Sequence, residues 1–256
     1  MAELDSILPR IAGLLKQSSA AIAFTGAGIS TESGIPDFRS PHGIWAKYQP
    51  VYYQQFLSSA EARFEYWRQK CEAQQAFGDA QPNVGHKLLA KWESAGLLRA
   101  IITQNIDGLH QLAGSQDVLE LHGTARRAVC VECAKLYEVE PLVAQFLIDQ
   151  QVPQCEQCSG WLKHATVSFG QTLPPDVFQR SATLCKQADL MLAIGSSLVV
   201  EPAASLPRLG CQRGAKLIIL NRTETGLDAL ADFVLQTEIG ETLEKIDQLL
   251  ASQSRE

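Results

Sequence analysis

The sequence predicts an α/β protein built on a mostly parallel, doubly wound sheet of Rossmann-like type, with a smaller zinc-ribbon and helical unit inserted. Three observations predict it. Short continuous apolar runs alternate with helix-period segments, as strands buried on both faces do. Two of these runs end on glycine-rich turns, Gly26-Ala27-Gly28 and Gly195-Ser196-Ser197. Two Cys-x-x-Cys pairs break the alternation between residues 125 and 165.

Along the chain, Ile7, Ile11, Leu14 and Leu15 recur at helical spacing, so 5–17 reads as an amphipathic helix. Ala21–Thr25 reads as a buried strand entering the first glycine turn. Residues 40–80 are rich in aromatics and Gln and read as loops with short helices. A helix follows at 84–95, then strands at 98–103 and 118–121. Residues 189–194 form a strand ended by Gly195, and Lys216–Leu220 one ended by Asn221. An edge strand at 231–235 precedes a closing helix at 240–250, with Leu243, Ile246, Leu249 and Leu250 on its apolar face. There is no internal repeat or low-complexity segment.

Of 256 residues, 46% are hydrophobic and 20% charged, which suits a soluble domain with a sizeable core. The formal net charge of −6 argues against nucleic-acid binding, which needs a basic face. Glu3, Asp5, Arg10 and Lys16 interrupt the first turns, so no signal peptide is expected, and no membrane-spanning run occurs. The expectation is a cytoplasmic, monomeric protein with neither membrane nor nucleic-acid partners.

Cys130-x-x-Cys133 and Cys155-x-x-Cys158 stand 21 residues apart. Paired knuckles of this kind bring four thiolates to the corners of a tetrahedron, the geometry of structural Zn2+. Four protein ligands leave no open coordination position, so such a metal holds the fold and does no chemistry. Cys71, Cys185 and Cys211 have no such spacing and read as small packed residues.

Glycines in the turn after 21–25 would let backbone approach a pyrophosphate. The spacing is not a clean Gly-x-Gly-x-x-Gly, and no acidic residue ends a second strand to hold an adenosine ribose. A hydride-transferring dehydrogenase is therefore disfavoured. Gly34-Ile35-Pro36-Asp37-Phe38-Arg39 comes next, then Thr103-Gln104-Asn105-Ile106-Asp107-Gly108-Leu109-His110, then Leu121-His122-Gly123. Both later motifs end strands, where an open sheet forms its ligand crevice. An Asp for an amide, a Gln/Asn pair for a ribose and a His of near-neutral pKa suit chemistry at a nicotinamide ribose.

With these motifs in this order from Gly26 to about Glu241, the chain resembles the sirtuins. The resemblance implies an NAD-dependent protein-lysine deacylase whose products are nicotinamide, free lysine and O-acyl-ADP-ribose. It implies a Rossmann-like domain from residues 1–39, 81–124 and 166–256. Residues 40–80 and 125–165 then form the small domain, and acyl-lysine meets NAD between the two. The loop of Gly26, Ala27, Gly28, Ile29 and Ser30, with Thr31, would face the cofactor, with Phe38 and Arg39 over the reacting ribose. Gln104 and Asn105 would bind near that ribose, Asn105 with a catalytic part, while Ile106 and Asp107 receive the carboxamide. Gly195, Ser196, Ser197, Asn221 and Ile239 would line the adenosine side. His122 would be the general base, activating a ribose hydroxyl to attack the alkylimidate formed from the acyl oxygen and ribose C1′. An NAD glycohydrolase or ADP-ribosyl transferase using the same cleft is the alternative. A non-enzymatic zinc module would leave Asn105, Asp107 and His122 without a role.

Two edges would pair with the substrate strand. One carries Val167, Phe169 and Gly170, the other Val199. In the family the first edge usually ends in Glu and follows an Arg-Pro or Lys-Pro. Here Gln171 stands for that Glu, and His164 follows Lys163. The Tyr-x-x-Arg pair that clamps acidic acyl groups is absent around Tyr66 and Arg68, so a neutral acyl group is expected. Among the remaining histidines, His110 is expected to pack or to orient its loop. His42, His86 and His164 are expected at the surface or in loops.

Overall fold

The computed structural model describes residues 2–36 and 49–252. Six strands form one sheet: β1 (Ala21–Thr25), β2 (Ala100–Thr103), β3 (Val118–Glu120), β7 (Leu190–Ile194), β8 (Lys216–Leu220) and β9 (Phe233–Leu235). Their order is β3-β2-β1-β7-β8-β9, and every pairing is parallel. The chain fills one side of β1 and then crosses to fill the other. The reversal falls between β1 and β7, the switch point at which a doubly wound sheet opens a crevice.

Alternation along the strands divides the core in two. Ala21, Ala23, Ile101, Leu190, Leu192 and Ile218 face α1 (Ala2–Gln17), α4 (Val84–Ser94) and α9 (Ile239–Ser252). Ile22, Phe24, Ile102, Met191, Ala193, Leu217 and Ile219 face α7 (Pro175–Gln187) and α8 (Ser205–Gln212). Helices on both faces explain why these strands read as unbroken apolar runs instead of alternating ones. The expected strand at 231–235 is an edge strand, shortened to β9. One further turn of helix, α5 (Leu109–Leu112), lies between β2 and β3.

A second, antiparallel sheet has the order β5-β4-β6, from β4 (Gly123–Cys130), β5 (Leu136–Glu138) and β6 (Leu162–Thr166). It packs with α2 (Tyr53–Ser58), α3 (Ala60–Phe77) and α6 (Val139–Asp149) around Phe56, Tyr66, Trp67, Val143 and Phe146. Trp67 Nε1 donates to the Leu162 carbonyl at 2.9 Å, so the burial of this large ring leaves no unpaired donor.

The expectation of loops and short helices over 40–80 needs correction in its described part. There α3 runs for 18 residues. It hides from a periodicity reading because its buried side is narrow, chiefly Arg63, Tyr66, Trp67 and Cys71, set among Glu, Gln and Arg. The start is nevertheless legible, since the Ser59 hydroxyl caps the Ala62 N–H at 3.1 Å. The sequence pattern likewise does not assign α6, α7 and α8.

Candidate active site

The carboxyl ends of β1, β2, β3, β7 and β8 deliver Gly26, Gln104, His122, Gly195 and Asn221 to one rim of the six-stranded sheet. At the switch point the loops after β1 and β7 are in direct backbone contact. Gly26 N–H donates to the Ile194 carbonyl at 3.0 Å, and Gly28 N–H to the Gly195 carbonyl at 2.8 Å. A Cβ on Gly28 would lie 2.7 Å from Gly195 Cα, and one on Gly26 2.8 Å from Gly195 O. Gly195 itself has φ of +64°, a left-handed conformation that glycine adopts without strain. The glycines are thus required by loop-to-loop packing, a reason the phosphate-binding reading of the sequence did not contain. Gly26 leads into a short 3₁₀ helix, Ala27–Ser33, with the Thr31 hydroxyl folded onto the Gly28 carbonyl at 2.9 Å.

Behind this loop lies a polar relay. Asn105 is buried, and its Nδ2 donates to the Gly26 carbonyl at 3.2 Å and to Ser30 Oγ at 3.1 Å. Ser30 Oγ donates to Asp107 Oδ2 at 2.7 Å and lies 3.4 Å from His86 Nε2. Asp107 Oδ1 accepts the Leu109 N–H at 2.9 Å. Asn83, the N-cap of α4, donates from Nδ2 to the Ile29 carbonyl and accepts from His86 Nδ1 at 3.0 Å. That network puts the His86 proton on Nδ1 and leaves Nε2 facing Ser30. His110 Nε2 meets Thr25 Oγ1 at 2.9 Å, which in turn donates to Thr103 Oγ1. Burial pushes His86 down to about 4 and His110 to about 3, so both imidazoles are neutral at pH 7.

The expectation that His86 and His164 sit at the surface or in loops is therefore wrong: they are 0% and 1% exposed. His86 is in the first turn of α4, and His164 lies in β6 against the Trp67 ring. Asn83 and His86 are the members of this cluster that sequence reasoning missed as site residues. The available signal was Asn83 three residues ahead of His86, the spacing at which an N-cap side chain meets the N3 residue. His110 holds its loop, as expected.

His122 follows β3, and its Nδ1 lies 2.9 Å from the Gln104 carbonyl. A carbonyl only accepts, so Nδ1 carries the proton and Nε2 is the basic nitrogen. Gln104 Nε2 donates to Ser196 Oγ at 2.7 Å, bridging the loops after β2 and β7. Ile106 accepts the Ala125 N–H at 2.8 Å through its carbonyl. Asn221 is 9% exposed, its Nδ2 turned to the Thr223 carbonyl, and Ile239 opens α9 beside Gly85. Ser197 is half-buried next to Ser196. Glu120, at the end of β3, is pushed up to about 7 by burial.

Val167 N–H donates to the His122 carbonyl at 2.8 Å, which ties the expected substrate edge to the expected base. Phe169 is 42% exposed, Gly170 is exposed, and Val199 is 57% exposed on the loop after β7. Phe38 and Arg39, with Asp37 and His42, lie outside the described residues.

The four paired cysteines come together with their sulfurs all within 4.8 Å of one another. Cys130 and Cys158 sulfurs are 3.5 Å apart, and those of Cys133 and Cys155 are 3.6 Å apart. A tetrahedron with Zn–S bonds of about 2.3 Å has edges of about 3.8 Å, so the donor set fits zinc in chemistry and size. Glu132 and Cys133 N–H groups point at Cys130 Sγ, and the Tyr137 hydroxyl lies 3.0 Å from Cys155 Sγ. Such neighbours orient thiolate ligands. Of the other cysteines, Cys71 and Cys185 are buried and Cys211 is half-buried. No helix among the described residues is long and apolar enough to cross a membrane.

Fold and site together define a class: a Rossmann-like α/β protein with a smaller sheet that carries a four-cysteine cluster. The Sir2 family pattern matches residues 26–202, and the chain belongs to that family. A Rhodopseudomonas palustris protein described as an NAD-dependent protein deacetylase is 46% identical over 242 residues, covering 94% of this chain and 96% of its own. One from Thermodesulfovibrio yellowstonii, described in the same words, is 45% identical and covers 94% of each. Among solved structures, a Sir2 protein with a deacetylated peptide and 3′-O-acetyl-ADP-ribose superposes with a TM-score of 0.84 at 38% identity, covering 94% of this chain and 97% of that one. A Sir2 homologue complexed with ADP-ribose gives 0.87 at 35% identity, covering 96% and 98%.

Proposed function

We propose that the chain is an NAD-dependent protein-lysine deacylase that moves the acyl group from lysine to ADP-ribose and releases nicotinamide. The observation that carries this reading is the placing of His122. Its Nδ1 proton is held by the carbonyl of Gln104, the residue before Asn105, and its own carbonyl holds Val167 of the expected substrate edge. In this tautomer Nε2 is the nitrogen that can take up a proton, which supports the reading of His122 as general base.

In this reading Asp107 accepts the nicotinamide amide, oriented by Ser30 and the Leu109 N–H. Gln104, Ser196 and the glycines at 26, 28 and 195 hold the ribose and phosphate side, with Ala27, Thr31, Ile106, Ser197, Asn221 and Ile239 completing the lining. By resemblance to the family, Phe38 and Arg39 are assigned to the reacting ribose. Val167, Phe169, Gly170 and Val199 pair with the peptide as an added strand. The residues 1–39, 81–124 and 166–256 form the cofactor domain, and 40–80 with 125–165 the small one. Cys130, Cys133, Cys155 and Cys158 hold Zn2+, which keeps the small sheet folded. Arg68 is occupied by Glu65 and Glu72, which supports a neutral acyl group over an acidic one. The protein acts as a cytoplasmic monomer on acyl-lysine peptides, without nucleic acid.

Mass spectrometry of an acetyl-lysine peptide incubated with and without NAD tests the proposal. Expected are free lysine peptide, nicotinamide and O-acetyl-ADP-ribose, all dependent on NAD. Deacylation with NAD omitted, or NADH among the products, refutes it. Nicotinamide release that ignores the peptide would point to the glycohydrolase reading instead.

A further inference from the structure

Behind the Val167–Gly170 edge stands a buried ammonium whose acceptors, among the described residues, are all neutral. Lys163, in β6, is 1% exposed. Its Nζ donates to the carbonyls of His164 at 3.1 Å and Thr166, and to Gln171 Oε1 at 3.3 Å. The rings of Tyr53 and Tyr66 lie 6.0 and 5.6 Å from it. Among the described residues no carboxylate pairs with it.

Gln171 joins this ammonium to the backbone of the edge. The same Oε1 accepts the Ser168 N–H at 3.1 Å, and the Gln171 N–H returns to the Ser168 carbonyl at 2.9 Å. Gly170, at φ +80°, closes that turn. The Phe169 carbonyl accepts the N–H of Tyr53, whose ring faces Lys163. One carboxamide oxygen therefore decides how the turn is tilted, and Lys163 is the post against which it is braced.

We propose that Lys163 and Gln171 are positioning residues for the acyl-lysine peptide, setting the pitch of the edge it pairs with and leaving NAD chemistry untouched. This rests on the deacylase reading above. Burial, with the Lys70 ammonium nearby, pulls Lys163 down to about 7, so its charge is tolerated only while its acceptors stay in place. The other groups facing it are Tyr66 and Lys70 from α3, Tyr53 from α2 and His164 from β6.

Steady-state kinetics on the full chain, with an acetyl-lysine peptide and NAD varied separately, tests it. Gln171→Leu should raise the peptide KM about tenfold, the scale of one lost bond to a charged group. The NAD KM and kcat should stay within about twofold, the signature of lost binding at one substrate alone. Gln171→Glu should restore the peptide KM, because a carboxylate accepts the same two hydrogens. Lys163→Met, which removes the other end of the link at similar volume, should repeat the Gln171→Leu result. The proposal is overturned by an unchanged peptide KM in Gln171→Leu. It is equally overturned by parallel rises for both substrates, or by Gln171→Glu being as impaired as Leu. A wild type that needs no acyl peptide to consume NAD would overturn the deacylase reading itself, before any variant is compared.

Discussion

Replacing Gly28 by alanine adds one methyl group at the place where two site loops touch. The new Cβ would stand 2.7 Å from Gly195 Cα and 2.8 Å from Gly195 O, and both are backbone atoms that no rotamer change can move. Carbon contacts settle near 3.5–4.0 Å, so the loops after β1 and β7 must part by about 1 Å. Overpacking of this kind costs about 1–3 kcal/mol. The loss falls on the Gly28 N–H to Gly195 carbonyl bond, now 2.8 Å long. For a chain of this size that is a drop of a few degrees in Tm. A displacement of about 1 Å at a reacting centre is worth about 10²-fold, so kcat/KM for NAD should fall by that order. Gly195→Ala should be worse, because its Cβ would lie 2.3 Å from Ile29 N and its φ of +64° strains any side chain. Calorimetry with NAD-dependent nicotinamide release measures both quantities. Gly28→Ala at wild-type kcat/KM, or Gly195→Ala milder than Gly28→Ala in Tm, refutes the loop-packing argument.

Gly13 in α1 is the opposite case: nothing lies within 4 Å of its Cβ position, so Gly13→Ala should stabilise by about 0.5–1 kcal/mol in denaturant titration. His122→Ala should lower deacylation about 10²–10⁴-fold with an unchanged melting curve, and a folded variant keeping most of its activity would remove His122 as base. Cys130→Ser should lose bound zinc and thermal stability together, read by elemental analysis and melting; wild-type metal content in the variant contradicts a four-thiolate site. Stability should depend on pH through Lys163, whose folded pKa of about 7 lies below its ordinary 10.5. Between those values the unfolded chain binds more protons, so this contribution makes stability rise with pH. It does so by at most about 1.4 kcal/mol per pH unit, and the penalty is complete below pH 7. Denaturant titrations at pH 7, 8 and 9 should show a smaller rise in Lys163→Met, and an identical rise in both chains counts against the buried ammonium.

Much of this protein is legible in the order of its residues alone. Strands buried on both faces read as apolar runs, so 21–24 and 217–220 announce themselves, and Gly26 and Asn221 mark where they end. Paired Cys-x-x-Cys knuckles announce a four-thiolate cluster, which the pairing of β4 with β6 then brings together. Motif residues at strand ends converge because parallel strands share one carboxyl rim. Other features needed the tertiary structure, since they depend on partners distant in sequence. The burial of α3 comes from Leu162 receiving Trp67, 95 residues away. His86 becomes part of the site only because Ser30 lies within reach; the local Asn83 cap fixes its place in the helix but not its burial beside Ser30. Gly28 needs to be glycine because Gly195 is there, 167 positions on. Lys163, a residue type that sequence alone would send to solvent, is held inside by two backbone carbonyls, a glutamine oxygen and two tyrosine rings that only the folded chain assembles.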